Sequence, residues 1–379
     1  MSGEKISVLG LEAYYGGSHK AFLDGWIKHS RHDWTVLGLP AHHWKRRMRH
    51  SAIHFAGRTG ELMKDGKKFD ALFCSSMLNF AEFTGLAPRE IRDTPSVVYF
   101  HENQLTYPVQ DSVKRDFQCA LTNMTSALAA SEAWFNSEFN RDSFLDKLPQ
   151  LLRKMPDFRP FQEVEDIRSK SKIFHQGIAE MPARKTRAPG RPMKIIWACR
   201  WEHDKNPEDF FKALDILKAE GVPFRLSVLG EQFRSSPEIF ESAKVQFKDH
   251  IDKWGFLESR EEYIDELLDA DVMASTAIHE FFGIGMFEGA SAGIFPLMPK
   301  RLAYPEIFND ENGENIRQFF YDGTPEGLAA KLSGLAKKIS DNKSIWKNIL
   351  TDGMEVASRY FWPEIAASMD NAIERLAKQ

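Results

Sequence analysis

The feature that most constrains this chain is a rhythm. Apolar runs of three to six residues alternate with longer amphipathic stretches, once through each half. Runs this short and this apolar read as strands buried on both faces, and strands of that kind need crossover helices between them. In the first half the expected strands are Lys5–Leu9, Trp34–Leu39, Ala71–Cys74, Ser96–Phe100 and Ala133–Asn136. In the second half they are Lys194–Cys199, Arg225–Leu229, Ile251–Trp254, Val272–Ser275 and Phe295–Leu297, with helices near Pro207–Glu220, Arg260–Ala270 and Gly283–Ala292. Pro182–Pro192, rich in Pro, Gly and Arg, reads as a linker between them. After an aromatic break at Tyr360–Trp362, Pro363–Lys378 reads as a closing amphipathic helix. The expected class is therefore α/β with parallel sheets.

A chain of 379 residues exceeds what one core usually holds, so two domains are expected. The domain limits expected are 1–182, 193–358 and a terminal helix over 359–379. With 42% hydrophobic and 27% charged residues, the composition excludes a disordered or fibrous class. No apolar run approaches a membrane span and the N-terminus lacks a signal segment, so the cytoplasm is the expected address, with no membrane partner. Cys74, Cys119 and Cys199 are widely separated in apolar contexts and are expected to be core thiols. A net charge of −4 argues against a surface devoted to nucleic acid but leaves room for basic patches. Three stand out: His42 to His50 around Trp44, with Lys45, Arg46, Arg47 and Arg49; Arg153, Lys154 and Arg159; and Arg184 to Lys194 in the linker. Trp44 with its Arg/Lys neighbours and the Pro/Arg-rich linker suit an RNA backbone and an unstacked base, or else they are solvated loops.

Four constellations follow strand ends. His279–Gly289 (H-E-F-F-G-I-G-M-F-E-G) sets Glu280 and Glu288 eight positions apart around Gly283. A strand, a loop and a glycine-led helix start give free N–H groups and a positive dipole end for a diphosphate. Glu280 then lies beside the phosphates, and Glu288 is placed to accept from two ribose hydroxyls. Cys199–Pro207 (C-R-W-E-H-D-K-N-P) carries Arg200 and Lys205, two cations suited to a departing diphosphate, or else a solvated turn pairing with Glu202 and Asp204. After the first strand, Gly16 and Gly17 precede Ser18, a candidate N-cap, and His19. Val97–Leu105 runs a buried strand into His101, Glu102, Asn103 and Gln104.

Together these motifs resemble the GT-B glycosyltransferases, and within them glycosyltransferase family 4, whose retaining members carry an E-x7-E motif matched by Glu280 and Glu288 and an upstream Arg/Lys pair matched by Arg200 and Lys205. The strings E-A-Y-Y-G-G-S-H-K, Y-F-H-E-N-Q-L-T-Y-P, R-W-E-H-D-K-N-P-E and T-A-I-H-E-F-F-G are similar to those of the members that mannosylate the queuosine base of a tRNA anticodon from GDP-mannose. The chain lacks the long acidic, serine-rich insertion of animal members, which points to a compact relative. The resemblance implies two Rossmann-like domains facing each other across a cleft, with the terminal helix crossing back to the first. It implies a retaining transfer with no metal and no tightly bound cofactor, a nucleotide-sugar donor, a tRNA acceptor carrying queuosine, and no protein partner. On this reading Arg200, Lys205, Gly16, Gly17, Trp254, Gly255, Phe281, Phe282, Gly283 and Glu288 meet the donor. His101, Glu280, Arg200 and Lys205 act at the reacting centre. Ser18, His19, Trp44, Lys45, Arg46, Arg47, Arg49, Glu102, Asn103 and Gln104 face the acceptor. Two further readings are an enzyme of this fold using another nucleotide-sugar and a small-molecule or glycan acceptor, and a binding protein that keeps the scaffold without turnover.

Overall fold

A computed structural model describes residues 4–108, 117–182, 184, 190–232, 236–309, 317–341, 343 and 351–379. Within the linker, position 183 and positions 185–189 lie outside the described residues. The chain forms two compact units: Met1–Gly177 with Trp362–Gln379, and Ile178–Phe361. In chain order the first carries β1 (Ser7–Tyr15), α1 (Gly17–His29), β2 (Asp33–Pro40), α2 (Trp44–Lys64), β3 (Ala71–Ser75), α3 (Phe80–Leu86), α4 (Arg89–Arg92), β4 (Ser96–Phe100), α5 (Phe117–Ala129), β5 (Glu132–Phe135), α6 (Glu138–Leu152), α7 (Gln162–Ser169) and β6 (Ser171–Ile173). The second carries β7 (Met193–Ala198), α8 (Pro207–Ala219), β8 (Phe224–Leu229), α9 (Ile239–Gln246), β9 (Ile251–Gly255), α10 (Arg260–Asp269), β10 (Val272–Ala274), α11 (Ile284–Ser291), β11 (Phe295–Pro299), α12 (Tyr304–Ile307), β12 (Phe320–Tyr321), α13 (Pro325–Ser340) and α14 (Thr351–Ser358). The last helix, α15 (Trp362–Ala377), belongs to the first unit. Among the described residues no helix is long and apolar enough to cross a membrane.

Each unit holds a six-stranded parallel sheet, ordered β2-β1-β3-β4-β5-β6 and β12-β11-β10-β7-β8-β9. The chain winds one way from the first strand of each sheet and then the other. The strand order reverses between β1 and β3 and between β7 and β10, and the carboxyl ends there are where open α/β sheets receive ligands. Along the first sheet, alternate side chains separate two cores. Leu72, Cys74, Val98, Phe100 and Phe135 pack with α2, α3, α5 and α6 on one face. Ala71, Phe73, Val97, Tyr99 and Trp134 pack with α1 and α15 on the other.

Several elements depart from the sequence reading. β1 runs on to Tyr15, well past Leu9, because Glu12 is accommodated inside it. Its carboxylate is buried and accepts from the Tyr14 N–H and the Ser75 hydroxyl, each at 2.8 Å. The cap of α1 is Gly16, not Ser18, which is exposed in the first turn. Gly17 sits at φ +52°, a left-handed conformation that favours glycine. β6 and β12, three and two residues long, are too short to show a period in sequence. The first unit ends at Gly177 and not at 182. Residues after it are tied into the second unit, where the Ile178 N–H donates to the Tyr360 carbonyl and the Met181 N–H to the Ser291 hydroxyl. Cys74 and Cys119 are core thiols, whereas Cys199 is half-buried at the end of β7.

α15 closes the first unit by a polar lock inside an apolar face. Asp370 is 1% exposed; its Oδ1 accepts from Trp26 Nε1 and the Ser30 hydroxyl at 2.8 Å, and its Oδ2 from the Arg31 N–H at 2.7 Å. Trp362 closes down on two glycines, since a Cβ on Gly25 or Gly177 would stand 2.2 or 2.3 Å from its ring. Replacing Asp370 by Ala strands the buried Trp26 N–H and two half-buried donors and is expected to cost about 3–5 kcal/mol of the first unit's stability. Urea unfolding checks this, and a loss under about 1 kcal/mol would show that the helix is held by its apolar face alone.

Candidate functional site

In the second unit the loop after β7 and the loop after β10 are stitched together at the reversal point. Arg200 leaves β7, and a 3₁₀ turn over His203–Lys205 follows, closed by Asn206 in the left-handed region at φ +51°. The Asp204 carbonyl accepts the N–H groups of Ile278 and His279, at 2.9 and 3.3 Å. Thr276 donates its hydroxyl to the Lys205 carbonyl at 2.8 Å and accepts from Trp197 Nε1 at 3.2 Å. The backbone of one loop thus fixes the side chain of the other.

The result is a buried ammonium among acids. Lys205, 8% exposed, donates from Nζ to Glu280 Oε2 and to the His279 carbonyl, both at 3.1 Å, and stands 3.1 Å from Asp204 Oδ2. Burial by itself lowers a lysine pKa, but Glu280 and Asp204 outweigh it and hold Lys205 above its ordinary value. Burial in turn raises Glu280, yet Lys205, helped by the Phe282 N–H, holds it below the usual carboxylate range. Both groups are therefore charged across the neutral range. They line a cavity of about 40 Å³ with Gly283, Gly285, Ser275 and Tyr304. Gly283 caps α11 at φ +88°, and a Cβ there would meet Tyr304 Cε1 at 2.6 Å. Both steric facts demand glycine at the helix start.

Other expected donor residues are placed differently. Arg200 is half exposed and pairs with Glu202 at 3.2 Å, so the Arg/Lys pair consists of one surface cation and one buried one. Glu288 is engaged by the Arg260 guanidinium and, at 3.1 Å, by the Tyr263 hydroxyl of α10. Each of its oxygens keeps a lone pair for a hydroxyl donor. The side chains of Phe281 and Phe282 are core: Phe281 stands edge-on to His279, and Phe282 stacks on Phe287. Only their backbone can meet a donor. The Trp254 ring packs against Trp201 and Phe211, while Gly255, at φ +105° beside Gln232, and exposed Phe256 form the carboxyl edge of β9.

In the first unit the carboxyl ends of β1, β3 and β4 hold a buried triad. His19 Nδ1 lies 3.3 Å from Glu12 Oε2, and its ring lies against that of His101, centroids 4.1 Å apart and planes tilted by 43°. Gln176 donates its amide to His101 Nδ1 at 3.1 Å, which leaves the ring hydrogen on Nε2, buried and without a partner among the described residues. Burial, with His19 alongside, pulls His101 well below the ordinary imidazole pKa. Burial also lowers His19, but Glu12 and then Glu102 raise it further, leaving it above its ordinary value. Among the described residues these three also form a cluster of metal-ligand type, their ligating atoms within 4.8 Å of one another. Zinc ligands stand about 3.3 Å apart, so the rings would have to turn to converge on an ion.

The acceptor-side expectations divide in the same way. Glu102 is half-buried and receives the Gln104 amide at 2.9 Å. Asn103 is fully buried and turned inward, donating to Asn140 Oδ1 at 2.9 Å and accepting from the Thr106 N–H and hydroxyl, so it is a loop brace with no surface to offer. Trp44 packs against the first unit's core with the Lys45 ammonium 5.5 Å from its ring, so it is no open stacking face. Lys45, Arg46 and Arg49 are exposed on the opening turns of α2, while Arg47 is half-buried against the Pro40 carbonyl. In the linker patch the described cations are paired: Arg184 with Asp271, Arg191 with Asp269, and buried Lys194 with Glu266 and Asp269. That patch braces the second unit and offers RNA no open cations among the described residues. Sequence reasoning missed Glu12, Gln176, Tyr263 and Tyr304, while Asp204 was expected only as a partner of the basic turn, which it is. Only Glu12 left a signal, an acid inside the apolar run S-V-L-G-L-E-A.

Histidine NMR titration is expected to find His101 neutral well below pH 6.5 and His19 protonated above it. The stability linked to His19 is complete below pH 6.5 and is lost as pH rises through its raised pKa. That linked to His101 is present above pH 6.5 and is lost as pH falls. In Glu12→Gln, His19 should titrate lower; an unchanged curve would remove Glu12 as the cause.

Residues 7–178 match the family described as tRNA-queuosine alpha-mannosyltransferase N-terminal, and residues 182–348 match glycosyl transferases group 1. A relative from Drosophila melanogaster, tRNA-queuosine alpha-mannosyltransferase, is 39% identical over 323 residues, covering 82% of this chain and 84% of that protein. Among solved structures, a glycosyltransferase from Rickettsia africae superposes with a TM-score of 0.69 at 15% identity over 99% of both chains. The catalytic domain of starch synthase IV from Arabidopsis thaliana, bound to ADP and acarbose, gives 0.70 at 13% identity over 99% of this chain and 100% of that one. At such identities the structures establish the fold, α/β of the GT-B type.

Proposed function

The chain belongs to the tRNA-queuosine alpha-mannosyltransferase family, and we propose GDP-mannose as the donor from which this glycosyltransferase moves mannose to the queuosine base of tRNA at the anticodon wobble position. The observation that carries the donor side is the buried Lys205 ammonium beside Glu280, at the carboxyl edge of β7 and β10. Two hydrogen bonds occupy two of its three N–H groups, and the third lies beside Asp204 Oδ2 at 3.1 Å, from which a diphosphate oxygen would draw it. As the bond between the anomeric carbon and the diphosphate breaks, negative charge gathers on the leaving oxygen. A fixed cation in a water-poor site lowers the energy of that state more than it would in bulk water.

Arg200, at the surface of the same edge, supplies a second cation, and the N–H groups at Gly283 and the start of α11 supply dipoles. Glu280, kept ionised by Lys205, accepts from sugar hydroxyls, and Glu288 accepts from the ribose. The acceptor hydroxyl attacks on the face that the diphosphate leaves, its proton passes to the departing oxygen, and the configuration is retained. In this reading side chains meet the diphosphate charge, with no resident metal or tightly bound cofactor. In the first unit His101 offers an Nε2–H with no partner among the described residues as a donor to a sugar hydroxyl. Exposed Lys45, Arg46 and Arg49 on α2 suit the tRNA backbone. The tRNA acceptor supports a cytoplasmic address.

Labelled GDP-mannose incubated with tRNA, with or without queuosine, is expected to label only the queuosine-containing pool. Label in queuosine-free tRNA, or transfer only from another nucleotide-sugar, would overturn the assignment. Lys205→Ala should lower kcat/KM about 100- to 1,000-fold, as removal of one fixed charge stabiliser does. Turnover equal to the parent would remove Lys205 from the reaction.

A further inference from the structure

One surface of the first unit has no part in the site described above. Residues 153–161, R-K-M-P-D-F-R-P-F, connect α6 to α7. Phe158 is 74% exposed and Phe161 is 42% exposed. Phe158 makes no ring contact among the described residues, so neither burial nor stacking within the chain accounts for it. Isolated apolar side chains on a surface are ordinary, but two phenylalanines within four positions, set among cations, are a less common arrangement. Arg153, Lys154 and Arg159 are all exposed, and none forms an ion pair among the described residues. Asp157 is the one acid in the stretch.

The segment is held in place from beneath. Met155 and Phe117 pack against the first unit's core, and the Lys154 ammonium stands 4.8 Å from the centroid of the Phe117 ring. Phe117 opens α5, the helix that follows β4 and its His101 loop. Pro156 and Pro160 limit backbone freedom on either side of Phe158, and the Phe161 N–H closes a turn onto the Arg159 carbonyl at 2.8 Å. The aromatic faces are therefore presented by a braced turn, with little ordering left to do on binding.

We infer that residues 153–161 form a stacking platform for unpaired nucleotides of the RNA acceptor, with Phe158 and Phe161 under the bases and Arg153, Lys154 and Arg159 along the phosphates. It rests on the reading of tRNA as acceptor and adds a place where RNA is held. Exposed rings beside unpaired cations match a ligand that carries flat apolar faces and negative charge at each repeat, which is the chemistry of single-stranded RNA. A protein partner would use the rings but would need acids opposite the cations. A duplex offers phosphates without free base faces.

The test is fluorescence anisotropy of the full chain with queuosine-containing tRNA, a short unpaired RNA and a blunt RNA duplex, at several salt concentrations. The parent should bind tRNA and unpaired RNA more tightly than the duplex. Phe158→Ala with Phe161→Ala should weaken tRNA and unpaired RNA about tenfold or more, with an unchanged melting temperature. Arg153→Gln, Lys154→Gln and Arg159→Gln together should reduce the slope of log affinity against log salt by about 2. If the parent binds tRNA and the double phenylalanine variant binds it equally well, the platform is wrong and the tRNA reading stands. If the parent binds no RNA, both fall. If sedimentation shows the parent self-associating and the phenylalanine variant monomeric, the face is a contact between copies and the platform is overturned.

Discussion

A lysine ammonium held inside the protein by two carboxylates is the constraint on which the second unit's site depends. Lys205 is held there by Glu280 and Asp204, 3.1 Å away, and Lys205 in turn offsets the desolvation of Glu280. Removing one partner of such a group leaves an uncompensated charge in a poor solvent, a larger penalty than the pair itself is worth. The loops are held accordingly. The Asp204 carbonyl takes two N–H groups from the β10 loop, Thr276 reaches back to Lys205, and Gly283 turns the chain into α11 against Tyr304. Charge fixed before a ligand arrives needs no reorganisation during the reaction, and this makes the arrangement suited to transition-state charge.

The first unit uses the same physics with different groups. Glu12 sits in the middle of a buried strand and His19 at the start of the next helix, and their pairing raises the pKa of one imidazole beside another that burial lowers. At the opposite end of the chain, Asp370 is buried in an apolar helix face with both its oxygens accepting hydrogen bonds. Buried acids thus recur where a loop or helix must hold one position, because a misplaced acid would lose every compensating donor at once.

Much of this was legible in the sequence, for identifiable reasons. Buried parallel strands are short apolar runs, so ten of the twelve were visible, and the two that were not, β6 and β12, are too brief to carry a period. Glu280, Lys205 and Gly283 were visible because they lie in the loops that follow two expected strands and match a family spacing. Side-chain direction was less legible. Asn103, Phe281, Phe282, Trp254 and Trp44 lie close to the site along the chain, but their side chains turn inward to Asn140, Phe287, Trp201 and the core. Nearness along the chain places a residue on the right loop and says nothing about which way it points. The linker cations Arg184, Arg191 and Lys194 looked available because their acids, Asp269, Asp271 and Glu266, lie some 70 to 90 positions later.

The sequence by itself determined two α/β units, the loops that carry the chemistry and, through long aromatic-rich strings, the family. These follow from local periodicity and from residues adjacent along the chain, which folding leaves adjacent. Only the tertiary structure decided which charges are buried, which are paired and which face water. It set the Glu12–His19–His101 cluster, separated buried Lys205 from surface Arg200, and left Phe158 and Phe161 exposed. A side chain's pKa, partners and accessibility depend on distances across the sheet and between loops, and those distances exist only once the strands have taken their order and register.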